Sequence, residues 1–256
     1  MIHPTAQIDP GARIGEQVEV GAYSIIGAEV EIGDRSVIGP HVVVSGPTTI
    51  GSDNRIYQFS SIVEAPQDLK YNGEPTKLIV GDHNVIREYV TLNRGTVDGN
   101  SQTVIGSHNL FMAYCHVAHD CIVGDHSIFA NAASLAGHVE VGDYSTLGGF
   151  TSVHQFSRIG TRCFIGLGSV VTQDIPPFAT AAGNRARAVG INKTGLSRKG
   201  FSSELISALH KSFRLLLKSK KGRDQALQEL QPLIKQHPEV SQFVDFVLSS
   251  ERGIAR

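Results

Sequence analysis

The sequence predicts a parallel β-solenoid over residues 1–184, followed by a linker and a helical domain over residues 185–256. Three observations carry this prediction: an apolar residue recurs every six positions, glycine often follows it, and the recurrence is interrupted at only two places. A helix would drift out of phase with a period of six, and a β-sandwich would show alternation broken at irregular turns. Short strands joined by tight turns fit the period, with three strands in each 18-residue coil.

The six-residue comb, our name for the recurring apolar positions, comprises 25 residues and therefore about eight coils. These side chains should point inward and stack from coil to coil as one core. The neighbouring glycines should supply turn conformations that are unfavourable for residues with a Cβ. The positions are Ile8, Ile14, Val20, Ile26, Ile32, Ile38, Val44, Ile50, Ile56, Ile62, Val80, Ile86, Leu92, Ile105, Phe111, Val117, Val123, Phe129, Leu135, Val141, Leu147, Val153, Ile159, Ile165 and Val171.

The two interruptions of the comb predict loops that leave the prism. The first covers residues 63–79 and the second covers about 97–103. Long polar loops on a rigid scaffold commonly carry function, and the alternative is a tolerated insertion without a role.

The solenoid should end near Pro176-Pro177, where a linker rich in glycine and alanine begins. A helix is expected to start at Ser202-Ser203-Glu204, with Gly222 as its C-terminal cap. Two further helices are expected around 225–235 and 240–250. Together these helices would cover the open strand edges of the last coil.

Charge is distributed unevenly along the chain. Residues 1–184 hold 18 acidic and 9 basic residues, whereas 185–223 hold 1 acidic and 11 basic residues. The basic segment is either a solvated helix face or a docking surface for an acidic partner. No interleaved aromatic platform accompanies it, so nucleic acid is not an expected partner.

Two classes of protein are not expected. The chain has no run of 18 apolar residues and no N-terminal secretion signal, which predicts neither a membrane span nor export. Its three cysteines are odd in number and lack the spacing of a zinc site or a disulfide framework. The cytoplasm is the expected location.

Residues 18 apart should lie above one another on adjacent coils, about 4.8 Å apart. His119, Gly137 and Gln155 then form one column, and Asp120, His138 and Phe156 form the next. An imidazole beside an unobstructed glycine N–H provides a base and an oxyanion donor. His116 and His119, with His138 from a neighbouring coil, are alternatively metal ligands.

Several segments now identify a family. The chain contains "QDLKYNGEPT" (67–76), "NRGTV" (93–97), "HVAHDC" (116–121), "LAGHV" (135–139), "VHQF" (153–156), "GNRA" (183–186), "RKGFS" (198–202) and "RGIAR" (252–256). In this order they resemble the UDP-N-acetylglucosamine acyltransferases of lipid A biosynthesis. The resemblance implies a left-handed parallel β-helix, a cytoplasmic homotrimer with sites between subunits, and no metal or redox cofactor. It also implies transfer of an (R)-3-hydroxyacyl chain from acyl carrier protein to the glucosamine 3-position of UDP-GlcNAc.

The same resemblance assigns roles to residues of this chain. His119 matches the general base and Gly137 the oxyanion donor, while Asp120 is a candidate for orienting His119. Alternation along a strand argues against this last assignment, because adjacent side chains point to opposite faces. The matched substrate-binding positions are Gln67, Asp68, Lys70, Asn93, His116, His138, Gln155, Asn192 and Arg198.

Three positions depart from the family pattern. Asn93 stands where histidine is common, and Thr194 stands where glutamate is usual, which raises the hypothesis of a 3-amino acceptor sugar. Leu167 stands where long-chain members have glycine at the end of the acyl groove. Since a leucine side chain removes volume there, we expect an acyl donor of about ten carbons.

Two further classes compete with the acyltransferase. A γ-carbonic-anhydrase-like zinc enzyme would share the β-helix and would hold zinc between subunits. A non-catalytic solenoid would act as a scaffold, and it would not depend on His119.

Overall fold

Three parallel sheets form the faces of a triangular prism. The computed structural model describes residues 1–256. Successive strands of each face lie one coil apart, as in the pairing of Ile8 with Ile26 and of Val117 with Leu135. The 18-residue register predicted from the comb is therefore the register of the sheets.

The strands are short and their bounds follow the comb. The first face comprises Gln7–Ile8, Ile25–Ile26, Val43–Val44, Ser61–Glu64, Thr91–Asn93, His116–Val117, Ser134–Leu135, Ser152–Val153 and Val170–Val171. The second face comprises Arg13–Ile14, Val30–Ile32, Thr48–Ile50, Lys77–Val80, Gln102–Ile105, Ile122–Val123, Glu140–Val141 and Arg158–Ile159. The third face comprises Glu19–Val20, Val37–Ile38, Arg55–Ile56, Val85–Ile86, Leu110–Phe111, Ile128–Phe129, Thr146–Leu147, Phe164–Ile165, Ala179–Ala182 and Arg187–Ile191.

The comb residues form the core of the prism. All of them from Val20 onward belong to one buried cluster, and only Ile8 and Ile14 at the open first coil are partly exposed. The rings of Phe111 and Phe129 stack at 4.6 Å between centroids on adjacent coils. Stacking of identical positions thus fills the interior without a second layer of structure.

The turns correct one expectation about glycine. The left-handed backbone conformation at the corners is taken mostly by residues with side chains, including Tyr114, Asp120 and His138. Glycine instead occurs earlier in the turn, where coils approach closely. A Cβ at Gly33, for example, would lie 2.6 Å from the carbonyl carbon of Gly51 on the next coil. Close coil contact, and not positive φ, explains the repeated glycine.

The corners define three edges of the prism. The first edge joins the first and second faces and contains Asp120 and His138. The second edge joins the second and third faces and contains Tyr144. The third edge joins the third and first faces and contains Tyr114.

Both predicted loops leave the prism, with shifted bounds. The strands Lys77–Val80 and Gln102–Ile105 begin before the predicted ends of the loops. The first loop therefore covers 65–76, and the second covers 94–101. Both leave the prism at the first edge, where the first face passes into the second.

The C-terminal part differs in detail from its predicted form. The expected linker contains strand Arg187–Ile191, which pairs antiparallel with Ala179–Ala182, and helix α1, Lys193–Arg198. It is followed by α2 (Ser203–Phe213), a π-helical turn (Arg214–Lys218), α3 (Arg223–Gln236) and α4 (Pro238–Leu248).

Two residues, Ser202 and Gly222, mark the starts of α2 and α3. Ser202 caps α2, since its side chain accepts a hydrogen bond from the N–H of Leu205. Gly222 does not end that helix as expected but has an extended backbone and precedes α3. Leu209, Phe243 and their neighbours form a second buried cluster beneath the helices. No helix has both the length and the apolar character that crossing a membrane requires.

Candidate active site

His119 and Asp120 form a hydrogen-bonded pair on the first edge. The Nδ1 atom of His119 lies 2.8 Å from Oδ2 of Asp120. Since a carboxylate only accepts, Nδ1 is the donor of this bond, and in the neutral imidazole Nε2 then keeps its lone pair. The structure contains no hydrogen bond to Nε2, and the His119 side chain is 15% exposed. The free nitrogen can therefore accept a proton from a substrate.

The alternation argument against Asp120 is wrong because neither residue lies in a strand. Strand His116–Val117 ends before them, and Asp120 has a φ of 59° in the turn. This left-handed conformation brings its carboxylate back toward the preceding imidazole. Asp120 thus meets the geometric requirement for orienting His119.

The Asp120 carboxylate is also held by the second loop. It accepts hydrogen bonds from the N–H and hydroxyl groups of Thr96 and from the N–H of Asn100. Burial raises the pKa of Asp120, but the hydrogen bonds from Thr96, His119 and Asn100 outweigh it, so the pKa is below its ordinary value. The sequence reasoning did not find Thr96 and Asn100, and the only signal for them was the interruption of the comb.

Gly137 lies directly under the His119 imidazole. A Cβ at this position would be 2.5 Å from Cε1 of His119, so only glycine leaves room for the ring. The N–H of Gly137 donates to no protein acceptor, a property it shares with equivalent turn positions such as Gln155. What distinguishes Gly137 is an unpaired N–H beside an imidazole. These are the two groups that acyl transfer needs.

Two other histidines line the site, and both have lowered pKa values. Burial, followed by the nearby His119, lowers the pKa of His116, whose Nδ1 lies 2.7 Å from the hydroxyl of Thr91. Burial also lowers the pKa of His138, against the opposing charges of Asp120 and Asp68. The ring of His138 stacks on Phe156 with 4.4 Å between centroids. Two members of the second predicted column, His138 and Phe156, are therefore in direct contact.

The first loop reaches this site from outside the prism. Asp68 is close enough to influence His138 electrostatically, and its carboxylate accepts the N–H of Lys70. Gln67 and Lys70 are exposed, as is Gln155 at the foot of the first column. Asn93 is buried, and its amide donates to the carbonyls of Glu64 and Ala65 at the base of the loop.

Asn192 and Arg198 lie elsewhere, on the second edge. They line a cleft of about 480 Å³ together with Tyr144, Arg162 and Thr194. The Asn192 side chain caps α1 by accepting the N–H of Gly195 and donates to the carbonyl of Arg162. Arg198 is exposed and unpaired. Leu167 lies on the third edge and is 76% exposed.

The only cluster with a spacing suited to a metal overlaps the His119 site. Ligand atoms of His119, Asp120 and His138 lie within 4.8 Å of one another. His116, an alternative metal ligand on the evidence of sequence spacing, is not part of this group. The Asp120 oxygens already accept hydrogen bonds from Thr96, Asn100 and His119, which a metal would have to displace. This donor set favours proton transfer over metal binding.

A basic groove runs along the C-terminal helices. It has a volume of about 970 Å³ and is lined by Lys193, His210, Lys211, Arg214, Lys218 and Lys221. Partial burial, followed by the charges of Lys193 and Arg214, lowers the pKa of His210. Five of the eleven basic residues of 185–223 therefore line one concave surface.

Comparison with known proteins relates this architecture to one enzyme family. Residues 174–255 match the family model described as UDP-N-acetylglucosamine O-acyltransferase, domain 2, and residues 102–137 match the bacterial transferase hexapeptide model. The chain is 54% identical to the acyl-(acyl-carrier-protein)–UDP-N-acetylglucosamine O-acyltransferase of Myxococcus xanthus and 50% identical to that of Stutzerimonas stutzeri. Each alignment covers 100% of this chain and 99% of the relative.

A solved structure agrees. The UDP-N-acetylglucosamine O-acyltransferase of Moraxella catarrhalis is 45% identical, with a TM-score of 0.97 over 100% of this chain and 99% of the other. These similarities confirm the predicted left-handed parallel β-helix with C-terminal helices.

Proposed function

Since the chain belongs to the acyl-(acyl-carrier-protein)–UDP-N-acetylglucosamine O-acyltransferase family, we propose that it acylates UDP-GlcNAc with His119 as general base. The reaction moves an (R)-3-hydroxyacyl chain from acyl carrier protein to the glucosamine 3-position, the first step of lipid A biosynthesis. The observation that supports this mechanism is the free Nε2 of His119 beside the unpaired N–H of Gly137.

In the first step, the sugar 3-hydroxyl oxygen attacks the thioester carbonyl carbon while Nε2 of His119 takes its proton. The negative charge that forms on the carbonyl oxygen is stabilised by the N–H of Gly137. Asp120 stabilises the resulting imidazolium through Nδ1. The intermediate then collapses to the ester, and the departing thiolate of the carrier's prosthetic group takes the proton from the imidazolium.

The first loop, residues 65–76 and from here called the acceptor loop, supports binding of the sugar. We assign Gln67, Asp68 and Lys70 to the sugar, with His116, His138, Gln155 and Asn93 lining the cleft around it. Asp68 and His138 already interact electrostatically, so the loop and the catalytic edge face a common space. An acceptor bearing a 3-amino group is the alternative, since the Oδ1 atom of Asn93 is buried without a partner.

We further propose that the active unit is a homotrimer. His119, Arg198 and Leu167 lie on the first, second and third edges of the prism, so one copy cannot bring them together. Side-by-side copies would place one chain's His119 against another chain's nucleotide cleft, where Arg198 can pair with a phosphate. Exposed Phe150 and Tyr114 on the third edge supply apolar surface for such contacts.

The basic groove supports docking of the acidic carrier protein. Lys211, Arg214 and Lys218 line it, and an excess of one charge raises the rate of encounter with an oppositely charged partner. We propose the cytoplasm as the location, in keeping with three buried cysteines that form no disulfide.

The deciding experiment is a thioester-transfer assay with UDP-GlcNAc, its 3-amino analogue and 3-hydroxyacyl carrier proteins of several lengths. We expect transfer to UDP-GlcNAc by the wild type and at least a hundredfold loss in His119→Ala. His3→Ala is the matched control, because that exposed imidazole lies in the first coil, where its Nδ1 is 3.0 Å from the hydroxyl of Thr5. Absence of transfer by the wild type would refute the activity, and exclusive use of the amino analogue would refute the acceptor.

The composite site has its own test. The particle mass should be three times the chain mass of 27.5 kDa by light scattering. Coexpressed His119→Ala and Arg198→Ala chains should regain activity in mixed assemblies, because some interfaces then combine two intact halves. If the mixed assemblies show no more transfer activity than either variant alone, the site is not shared between copies.

A further inference from the structure

The second extruded loop closes over the carboxylate of Asp120. Thr96 contributes its backbone N–H at 3.1 Å and its hydroxyl at 2.6 Å, and Asn100 contributes its N–H at 2.9 Å. Thr96 and Asp120 are both buried, whereas 97–100 are exposed. Thr96 is therefore the one residue of 96–100 with a buried side chain, and its hydroxyl contacts the carboxylate that binds His119.

This approach is close enough to require glycine. A Cβ at Gly99 would lie 2.4 Å from Cγ of Asp120, so the loop backbone rests directly on the carboxylate. Thr103, where the chain re-enters the prism, accepts the N–H of Asp120 at 2.8 Å. Asp120 is thus held at both its backbone and its side chain by the segment that interrupts the repeat.

Asn93, just before the second loop, and Arg94, its first residue, hold the acceptor loop. The Asn93 amide donates to two carbonyls at the base of that loop, and the N–H of Arg94 donates to Glu64. The Arg94 guanidinium lies 5.7 Å from the centroid of the Tyr71 ring within the loop. One short stretch therefore touches the sugar-binding loop at one end and the base-orienting carboxylate at the other.

We propose that Thr96 is a positioning residue for the acyl transfer: its hydroxyl fixes the Asp120 carboxylate in the orientation that holds His119 ready to accept the sugar proton. This inference rests on the proposed function of His119. Thr96 touches neither the reacting atoms nor His119, so its effect passes entirely through Asp120.

Loss of the hydroxyl has two separable consequences. The carboxylate gains freedom to rotate away from Nδ1, which lowers the fraction of molecules with a correctly placed Nε2 and therefore lowers kcat. In the molecules that keep the bond to Nδ1, the carboxylate has lost a competing donor, so it attracts the imidazolium proton more strongly and should move the acid limb of the rate profile to higher pH. The titratable groups facing His119 are Asp120, His116 and His138, with Asp68 reaching His138.

The test compares Thr96→Val with Thr96→Ser, which keeps the hydroxyl. In Thr96→Val we expect kcat to fall about tenfold, the effect of one hydrogen bond to a charged group, with the KM for UDP-GlcNAc unchanged. The acid limb of kcat/KM should rise in pH, and Thr96→Ser should restore both values. Thr48→Val is the matched control, since it removes a buried threonine hydroxyl that bonds only the carbonyl of Ser45.

A second measurement is independent of turnover. The His119 imidazole should titrate at higher pH in Thr96→Val than in the wild type when followed by NMR, and this shift should vanish in an Asp120→Asn background. A wild-type titration in folded Thr96→Val, or equal kinetic losses in Thr96→Val and Thr48→Val, would overturn the role of Thr96. A wild type without transfer activity would instead refute the proposed function, while the titration would still report on Thr96.

Discussion

Replacement of Leu167 by glycine should lengthen the preferred acyl donor. Leu167 is 76% exposed in the single chain and lies in a turn between Gly166 and Gly168, so its side chain packs against few groups of its own subunit. If this side chain ends the acyl groove of the assembled enzyme, its removal frees the space of four carbons. That space matches the difference between ten-carbon and fourteen-carbon donors.

The magnitude follows from the cost of exposing methylene groups. Each buried CH₂ contributes about 0.8 kcal/mol, so four contribute about 3 kcal/mol, or roughly 200-fold in relative kcat/KM. We expect the wild type to prefer the shorter donor, and Leu167→Gly to raise the ratio of long-chain to short-chain kcat/KM by up to this factor. Leu167→Ala, which keeps one of the four side-chain carbons, should give an intermediate ratio.

The assay is a competition between carrier proteins loaded with ten-, twelve- and fourteen-carbon 3-hydroxyacyl chains, with products separated by mass. Leu248→Ala serves as the control because this leucine is also partly exposed, at 41%, but lies on α4. A fourteen-carbon preference in the wild type, or an unchanged ratio in Leu167→Gly, would refute the reasoning.

Three further outcomes are expected. Gly137→Ala should lower kcat by about a hundredfold or more, because the new methyl group displaces the imidazole, whereas Gly190→Ala, with open space around it, should retain activity in the same assay. Arg214→Glu should raise the KM for the carrier-bound donor and reduce the salt dependence of that KM, and it should leave the KM for UDP-GlcNAc unchanged. The control, Lys235→Glu on α3, should leave both KM values unchanged. Stability should fall on acidification below about pH 6.5, by at most about 1.4 kcal/mol per pH unit for each group, because the unfolded chain binds protons that His116 and His138, with their lowered pKa values, do not bind when folded. Urea midpoints at pH 7.5 and 5.5 measure this slope, and a slope in His116→Gln equal to that of the wild type would contradict it.

The prism could be predicted from sequence because its core is a regular repeat along the prism axis. Each coil repeats the last, so the spacing of 18 places His119 over Gly137 without knowledge of any other contact. The same arithmetic placed Phe156 beneath His138, where their rings stack.

The remaining contacts depend on features that have no period. Asp120 turns toward His119 because its backbone is left-handed, and strand alternation does not apply there. Thr96 and Asn100 reach Asp120 from a loop whose path the comb does not constrain. Gly222 could serve either end of a helix, and in the structure its extended backbone precedes α3.

Because each coil consists of three six-residue units, the chain can lose or gain residues without disrupting the core only in multiples of six. Deletion of six residues between His119 and Gly137 would keep every strand in phase with the core, yet it would move Gly137 to a neighbouring edge and separate base from oxyanion donor. Deletion of 18 residues would restore the edge but would bring Gln155 to the position under His119, where a Cβ already collides with the ring. The proposed catalytic pair, His119 and Gly137, should therefore tolerate coils added above or below it, but no change in the number of residues between its two members.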